Sequence, residues 1–398
     1  MEEWKEYKLG DVVNILDYKR VPLSSKERST RKGIYPYYGA QGIIDYIDDY
    51  IFDGTYLLIA EDGENLKSQK QDIAQLACGK YWVNNHAHIV ESNGKSDIRY
   101  ICYLLNSTDV SGYITGSAQP KLNQANLISI CLKLPSLSVQ RQIASILSSL
   151  DDKIELNRKI NANLEAQAQA LFKSWFVDFE PFKDQPFVES ELGMIPKGWR
   201  VGKLGEYCRV RSGFAFKSTW WTNEGVPVIK IKNITDNGNL EMLDCSFVSK
   251  EHAALAKEFH TTEGDLLIAM TGATIGKFCI VHDNSKYCVN QRVGKFFLGN
   301  EPLKKLPFIY LNLKQSSVHD EIINRGQGSA QPNISGGDIE TLKVVIAPDV
   351  VISNFNVMLY PSFKKIISNQ QESRRLAELR DTLLPRLMSG ELKVNEVI

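Results

Sequence analysis

The stretch "LPSLSVQRQIASILSSLDDKIELNRKINANLEAQAQALFKSWF", Leu134 to Phe176, decides the fold. From Ser136 to Glu180 the chain has neither Gly nor Pro, and apolar side chains fall at Ile143, Leu147, Leu150, Ile154, Leu164, Ala168 and Leu171. Wherever these are adjacent the steps alternate between four and three, which is a heptad seam. The two seam positions between Ile154 and Leu164 are Asn157 and Asn161; a buried Asn fixes helix register and partner number at some cost in stability. Pro135 marks the start of the helix, and Ser138 is read as its N-cap. One such helix cannot hide its apolar stripe alone.

The chain supplies a second helix of the same pattern. "SFKKIISNQQESRRLAELRDTLL" runs from Ser362 to Leu384 between Pro361 and Pro385, with Ile366, Asn369, Ser373, Leu376, Leu379 and Leu383 on one face. Its offset from the first is 212, carried by Ile154 and Ile366, Asn157 and Asn369, Leu164 and Leu376, and Leu171 and Leu383. The pentapeptide "GSAQP" keeps the same offset, at Gly116 to Pro120 and again at Gly328 to Pro332.

Farther out, "WKEYKLGDVV" at Trp4 parallels "WRVGKLGEYC" at Trp199, "YLLIAEDG" at Tyr56 parallels "DLLIAMTG" at Asp265, and "YWVNN" at Tyr81 parallels "YCVNQ" at Tyr287. The last two pairs read as core strands followed by turns. The halves therefore agree at their ends and differ inside, which is the signature of internal duplication. Two similar globular segments, each ending in a long helix, predict an antiparallel coiled coil with pseudo-twofold related halves, and Asn157 close to Asn369. The rival arrangement is two unrelated helices, each docked on its own domain. "FEPFKDQPFVESELGMIPKGW", Phe179 to Trp199, has three prolines and mixed charge and reads as a linker.

Composition is consistent with this plan. At 398 residues, 43% hydrophobic and 10% aromatic, the chain can fill two cores. Lys plus Arg equals Asp plus Glu at 47 each, so only local clusters can serve nucleic acid. Seven cysteines form no CxxC pair and read as reduced core thiols. The acidic, polar start "MEEWKEYKLG" does not resemble a signal peptide, and no apolar run could span a bilayer, so a cytoplasmic protein without membrane contact is expected.

Two dissimilar readers on a stiff spacer suit a bipartite DNA target. The seam from Ile143 to Leu171 would measure about 43 Å at about 1.5 Å per residue, on the scale of the roughly 34–36 Å between half-sites one DNA turn apart. Here a resemblance becomes specific. "LPSLSVQRQIASILSSLDDKIELNRKINANLEAQAQALFKSWFVDFEPF" and "LRDTLLPRLMSGELKV" resemble the central and distal conserved regions of specificity (S) subunits of type I restriction-modification enzymes. "KRVPLSSKERSTRKGIYPYYGAQGIIDYIDDYIFDGTYLLIAEDG" is similar to one class of their target-recognition domains, and "GSAQPN" to the motif that closes such a domain. One departure is "APDVVISNFNVML", Ala347 to Leu359, where the family's usual entrance to the second helix is altered.

The resemblance implies an α+β chain with a target-recognition domain over 1–134, a helical spacer and linker over 135–190, a second target-recognition domain over 191–346 and a distal helical spacer over 347–398. It implies a non-catalytic chain that binds no cofactor. Two modification (methyltransferase) subunits would carry S-adenosylmethionine, and restriction subunits would carry ATP and Mg. A second reading is a single-chain DNA methyltransferase or nuclease with two target-recognition domains.

The sequence supplies candidate DNA contacts in both halves. Lys19, Arg20, Lys26, Arg28, Arg31 and Lys32 form a basic run against Glu27 alone, while "DYIDDYIFD", Asp45 to Asp53, gathers four aspartates, so charge reads as segregated. The second half answers with Arg209, Arg211, Lys217, Lys230 and Lys232 near Trp220 and Trp221. Gln119, Lys121, Gln331 and Asn333 flank the repeated turn and could touch DNA or brace the junction. Because both copies share the turn, base readers should lie in the dissimilar interiors. His86 and His88 in "WVNNHAHIV" read as polar strand residues on one face rather than as metal ligands. "GATIGKF", Gly272 to Phe278, lacks phosphate-loop spacing and reads as a strand-linking turn.

Overall fold

The computed structural model describes residues 4–68, 71–116, 119–327 and 332–397. It divides into two compact units, Met1–Lys153 with Leu376–Ile398, and Ile154–Arg375. Two helices of 40 residues, Leu137–Phe176 and Asp349–Met388, each contribute to both units. Adding 212 to the bounds of the first gives the bounds of the second.

Their termini correct two expectations. The Gln140 amide donates to the Ser136 carbonyl at 3.0 Å, so Ser136 stands at the helix entrance and Ser138 lies inside the first turn. The second helix begins at Asp349, well before Ser362, and runs through both Pro361 and Pro385. A proline deletes one intrahelical hydrogen bond and crowds the preceding turn. Ile352, Phe355, Leu359, Phe363 and Ile367, all buried around Pro361, hold the helix against that local cost.

In the first unit Lys5–Lys8 pairs antiparallel with Cys131–Leu134, Lys5 opposite Leu134. A six-stranded sheet follows in the order Val13–Ile15, Ala87–Ser92, Phe52–Ala60, Ala74–Val83, Lys32–Gly39, Gly42–Ile47. The first four of these strands pair antiparallel, and the fifth joins in parallel through Tyr37 opposite Trp82. The helix Ile98–Ser107 is capped by Asp97, whose carboxylate accepts from the amides of Arg99 and Tyr100. Its buried face, Tyr100, Ile101, Leu104 and Leu105, shares one core with Ile143, Leu147, Leu387 and Met388. Here the two long helices run antiparallel, and Arg380 donates to Asp151 at 2.6 Å across them. Gly390 closes the unit: its φ of +74° suits glycine, and a Cβ there would stand 3.1 Å from the Trp4 indole.

The second unit repeats the frame. Arg200–Lys203 pairs with Lys343–Ile346 in the equivalent register, Arg200 opposite Ile346. Its first sheet runs Arg209–Ser212, Val293–Phe297, Leu266–Ala269, Phe278–Ile280, all antiparallel, the same order as the first four strands of the other unit. "GATIGKF" thus links Leu266–Ala269 to Phe278–Ile280, the last two strands in that sheet order. Single hydrogen bonds recur as well. Leu9 N–H to Ile130 O at 2.8 Å matches Leu204 N–H to Leu342 O at 2.9 Å, and Asn84 N–H to Tyr38 O matches Asn290 N–H to Ile229 O, both 3.0 Å.

The interiors then part. In the first unit the hairpin of Lys32–Gly39 and Gly42–Ile47 extends the main sheet. In the second, Trp221–Thr222, Ser246–Val248, Val226–Ile229 and Cys288–Val289 form a separate sheet.

Within Ile154–Arg375 the long helices also run antiparallel: Asn161 meets Ile366, while Phe172 and Phe176 farther along meet Phe355 edge-to-face, at 5.9 and 4.8 Å between ring centroids. Asn157 and Asn369 are buried where the helices meet. Asn157 Nδ2 lies 2.9 Å from Glu372, 3.3 Å from Ser373 Oγ and 3.5 Å from the Asn369 carbonyl. Asn369 Nδ2 donates to Asn161 Oδ1 at 2.8 Å, and Asn161 Nδ2 to the Ile366 carbonyl at 3.1 Å. Ile143, Leu147 and Ile366 are buried, while Leu150, Ile154, Leu164, Leu171, Leu376 and Leu383 are half-buried. Leu379, expected on the seam, is 47% exposed.

The segment read as a linker is folded: Phe187–Ser190 pairs with Gly193–Pro196, and Phe179, Ile195 and Trp199 are buried in the core of the second unit. Three prolines signalled irregular backbone but not the aromatic anchors that tie it down. No described helix is long and apolar enough to cross a membrane. Of the cysteines, Cys102, Cys208, Cys279 and Cys288 are buried, but Cys78 and Cys131 are exposed, a correction to the core-thiol reading.

Candidate nucleic-acid interface

The basic run of the first unit folds onto its own acids. Ser24 and Glu27 form a capping box, each side chain accepting from the other's amide, which sets the helix Ser25–Thr30. This hydrogen bonding holds the Glu27 carboxyl below its usual range. Arg28 bonds the Leu23 carbonyl at 2.7 Å and meets Asp45 at 3.3 Å, with its guanidinium 5.1 Å from the Tyr37 ring. Arg31 meets Asp48 at 2.9 Å and lies 5.1 Å from the Trp82 ring, and Lys32 meets Asp45 at 2.7 Å. The charges read as segregated are therefore neighbours in space, because the hairpin returns the aspartates to the basic helix. Lys19 and Lys26 remain exposed, with no carboxylate partner among the described residues.

Arg20 is engaged inside the fold. It meets Glu61 at 2.7 Å and Asp17 at 3.3 Å, and donates to the carbonyls of Asn85 and Ala87. Glu61 also meets Lys121 at 3.1 Å. Burial pushes the Glu61 carboxyl up, but hydrogen bonds from Arg20 and Lys121 outweigh it and leave the group below its ordinary value. The two histidines separate, contrary to the shared-face reading, because the strand begins only at Ala87. His86, half exposed, lies 2.6 Å from Asp62, whereas the buried His88 reaches Asp17 through Nδ1 at 2.6 Å and the Leu122 carbonyl through Nε2 at 2.7 Å. Burial raises the Asp17 carboxyl, and the His88 and Ile89 hydrogen bonds more than reverse this. These couplings link residues far apart in sequence, so no local spacing announces them.

The proline that ends each repeated pentapeptide is hydrogen-bonded within its own unit. Gly63 N–H donates to Pro120 O at 3.4 Å, and Gly272 N–H to Pro332 O at 2.9 Å. Gln119 is exposed beside it, Asn333 donates its backbone N–H to Gly326 O at 2.9 Å, and Gln331 lies outside the described residues.

In the second unit Arg209 is exposed without a carboxylate partner among the described residues. Arg211 is ion-paired with Glu258 and lies over the Phe259 and Phe297 rings, and Lys232 pairs with Asp244 at 2.6 Å. Lys217 lies 5.3 Å from the Trp220 ring and Lys230 only 3.7 Å from the Trp221 ring. Burial, then the neighbouring Lys232 charge, lowers the Lys230 ammonium from its usual range. Trp220 stacks on His252, ring centroids 4.2 Å apart and planes 9° apart, a partner that the sequence did not indicate. Exposed cations on aromatic supports can neutralise phosphates, and carboxylate-paired cations carry less net charge toward them.

Comparison with known proteins places this arrangement. The family model described as "Type I restriction modification DNA specificity domain" matches residues 1–166 and 196–351. The type I restriction enzyme MjaIX specificity subunit of Methanocaldococcus jannaschii is 32% identical over 75% of this chain and 70% of its own length. The HindI specificity subunit of Haemophilus influenzae is 25% identical over 98% of this chain and 100% of its own length. In fold, the crystal structure of a type I restriction-modification system S subunit from M. genitalium matches with a TM-score of 0.62 and 17% identity, over 97% of this chain and 96% of that one.

Proposed function

Since the chain belongs to the type I restriction-modification DNA specificity family, we propose that it reads a bipartite duplex target, one recognition domain per half-site. Residues 1–134 and 191–346 are the readers, and 135–190 and 347–398 the spacer on which partners assemble. Two modification subunits, carrying S-adenosylmethionine, and restriction subunits, carrying ATP and Mg, supply the chemistry in the cytoplasm. This chain supplies the address.

The observation that carries this reading is the duplication itself: two frames alike in strand order and register at their ends, with interiors that differ where base readers would sit. Exchanging residues 1–134 for the first head of another family member, followed by methylome sequencing, tests it. One half of the methylated sequence should change; a change in both halves refutes independent reading. The purified chain alone, given S-adenosylmethionine and DNA, should transfer no methyl group. Transfer would establish the single-chain enzyme instead.

A further inference from the structure

The separate sheet of the second unit carries an aromatic surface with cations resting on it. Phe214, Phe216, Trp220 and Trp221 form one aromatic cluster, with centroids 5.0 Å apart for Phe214 and Phe216, 6.4 Å for Phe214 and Trp220, and 5.7 Å for Phe216 and Trp221. The cluster rests on buried Val228, Val248 and Cys288, while both indoles remain partly exposed. Lys217 and Lys230 lie against these indoles and have no carboxylate partner among the described residues. In the first unit the comparable cations, Arg28 over Tyr37 and Arg31 over Trp82, already hold Asp45 and Asp48.

His252 extends the surface with a ring N–H donor. Its amide donates to Ser249 Oγ at 3.2 Å, and the same hydroxyl lies 3.1 Å from Nδ1. With the hydroxyl proton given to Nδ1, the imidazole proton is assigned to Nε2, which has no acceptor among the described residues.

From these contacts we propose that Lys217, Lys230 and His252, set on the Trp220–Trp221 platform, grip adjacent backbone phosphates of the second half-site. The proposal rests on the DNA-reading function above. The indoles hold the ammonium groups in place, which limits the entropy lost when phosphates arrive. Lys230 also donates to Ser246 Oγ at 2.8 Å, and Lys232 beside it is already paired with Asp244 at 2.6 Å, so Lys230 is the cation of that edge left without a carboxylate. Such contacts fix orientation and register and carry no sequence preference of their own.

The test uses the full chain assembled with its modification subunits, a duplex bearing the site found by methylome sequencing, and a scrambled duplex. Each neutralised phosphate contributes about 0.9 to the slope of log affinity against log salt. The Lys217→Gln/Lys230→Gln variant should therefore lose about 1.8 of that slope, equally on both duplexes. His252→Gln should weaken binding equally on both duplexes, and unchanged binding would overturn its part in the grip. Lys304→Gln, which removes a cation already paired with Glu301, should leave the slope intact; an equal loss there would reduce the effect to total charge and overturn the proposal. Should the double variant melt lower than the parent, Lys217→Arg/Lys230→Arg must restore the slope. An unchanged slope in a parent complex that binds DNA refutes the phosphate grip alone. Absence of any salt-sensitive DNA binding by the parent removes the reading function with it.

Discussion

Replacing both Asn157 and Asn369 with Leu should stabilise the second unit. The two side chains are buried, 1% and 0% exposed, and the Oδ1 of each has no hydrogen-bond partner in the described structure. A buried polar atom left unpaired costs about 1–3 kcal/mol. Against the removal of two such atoms stand the lost donations to Glu372, Ser373 and Asn161, at about 0.5–1.5 kcal/mol each for neutral partners and somewhat more for the carboxylate. Ser373 and Asn161 are only half-buried, so water replaces part of what they lose. Burying two leucines in the seam adds about 1.5–3 kcal/mol each where packing is complete. With each contribution near the middle of its range the net gain is on the order of 4 kcal/mol, and at about 2–4 °C per kcal/mol for a unit of this size the calorimetric midpoint should rise by about 8–16 °C. The gain comes with lost register, since a seam that keeps only Asn161 and Ser373 as polar positions tolerates a one-heptad slip more readily. Cysteines placed at Asn161 and Ile366, joined in one product in the parent, should then give a second cross-linked species. A lower midpoint for the double Leu variant would refute the reasoning and indicate that ordered water already satisfies both carbonyls.

Three further outcomes follow from the same geometry. Asp17 has a folded-state carboxyl held below its ordinary value, so its contribution to stability is complete above the unfolded value and lost as pH falls through the folded one. The melting difference between the parent and Asp17→Asn should accordingly narrow below about pH 4, and a constant difference would exclude the His88 pairing as its source. Among the thiols, Cys78 and Cys131 should react with maleimide in the native protein, while Cys102, Cys208 and Cys279, all pushed up to about 12 by burial, should react only on unfolding; mass spectrometry distinguishes them. Pro361 is exposed, so Pro361→Ala should restore one helical hydrogen bond and stabilise the second unit by up to about 3 kcal/mol; an unchanged or lower calorimetric midpoint would refute this.

Much of the architecture was legible in the sequence because its signals are local or repeated. The heptad seam, the offset of 212 and the shared entrance residues are patterns of spacing, and spacing survives in a string of letters. The candidate interface was legible only as a list of basic residues. Arg20 and Lys217 look alike in sequence. One is engaged by Asp17, Glu61 and two carbonyls, and the other lies against an indole with no acid beside it.

By itself, then, the sequence determined that the chain is duplicated, that each copy ends in a long amphipathic helix, and which family it belongs to, since periodicity and motif are properties of order along the chain. Only the tertiary structure decided which charges stay available, that Asp45 and Asp48 return to the basic helix, that Trp220 meets His252, and that the second helix passes through two prolines. Coulomb attraction, stacking and core burial act through distance in space, and distance is set only after distant segments have packed together.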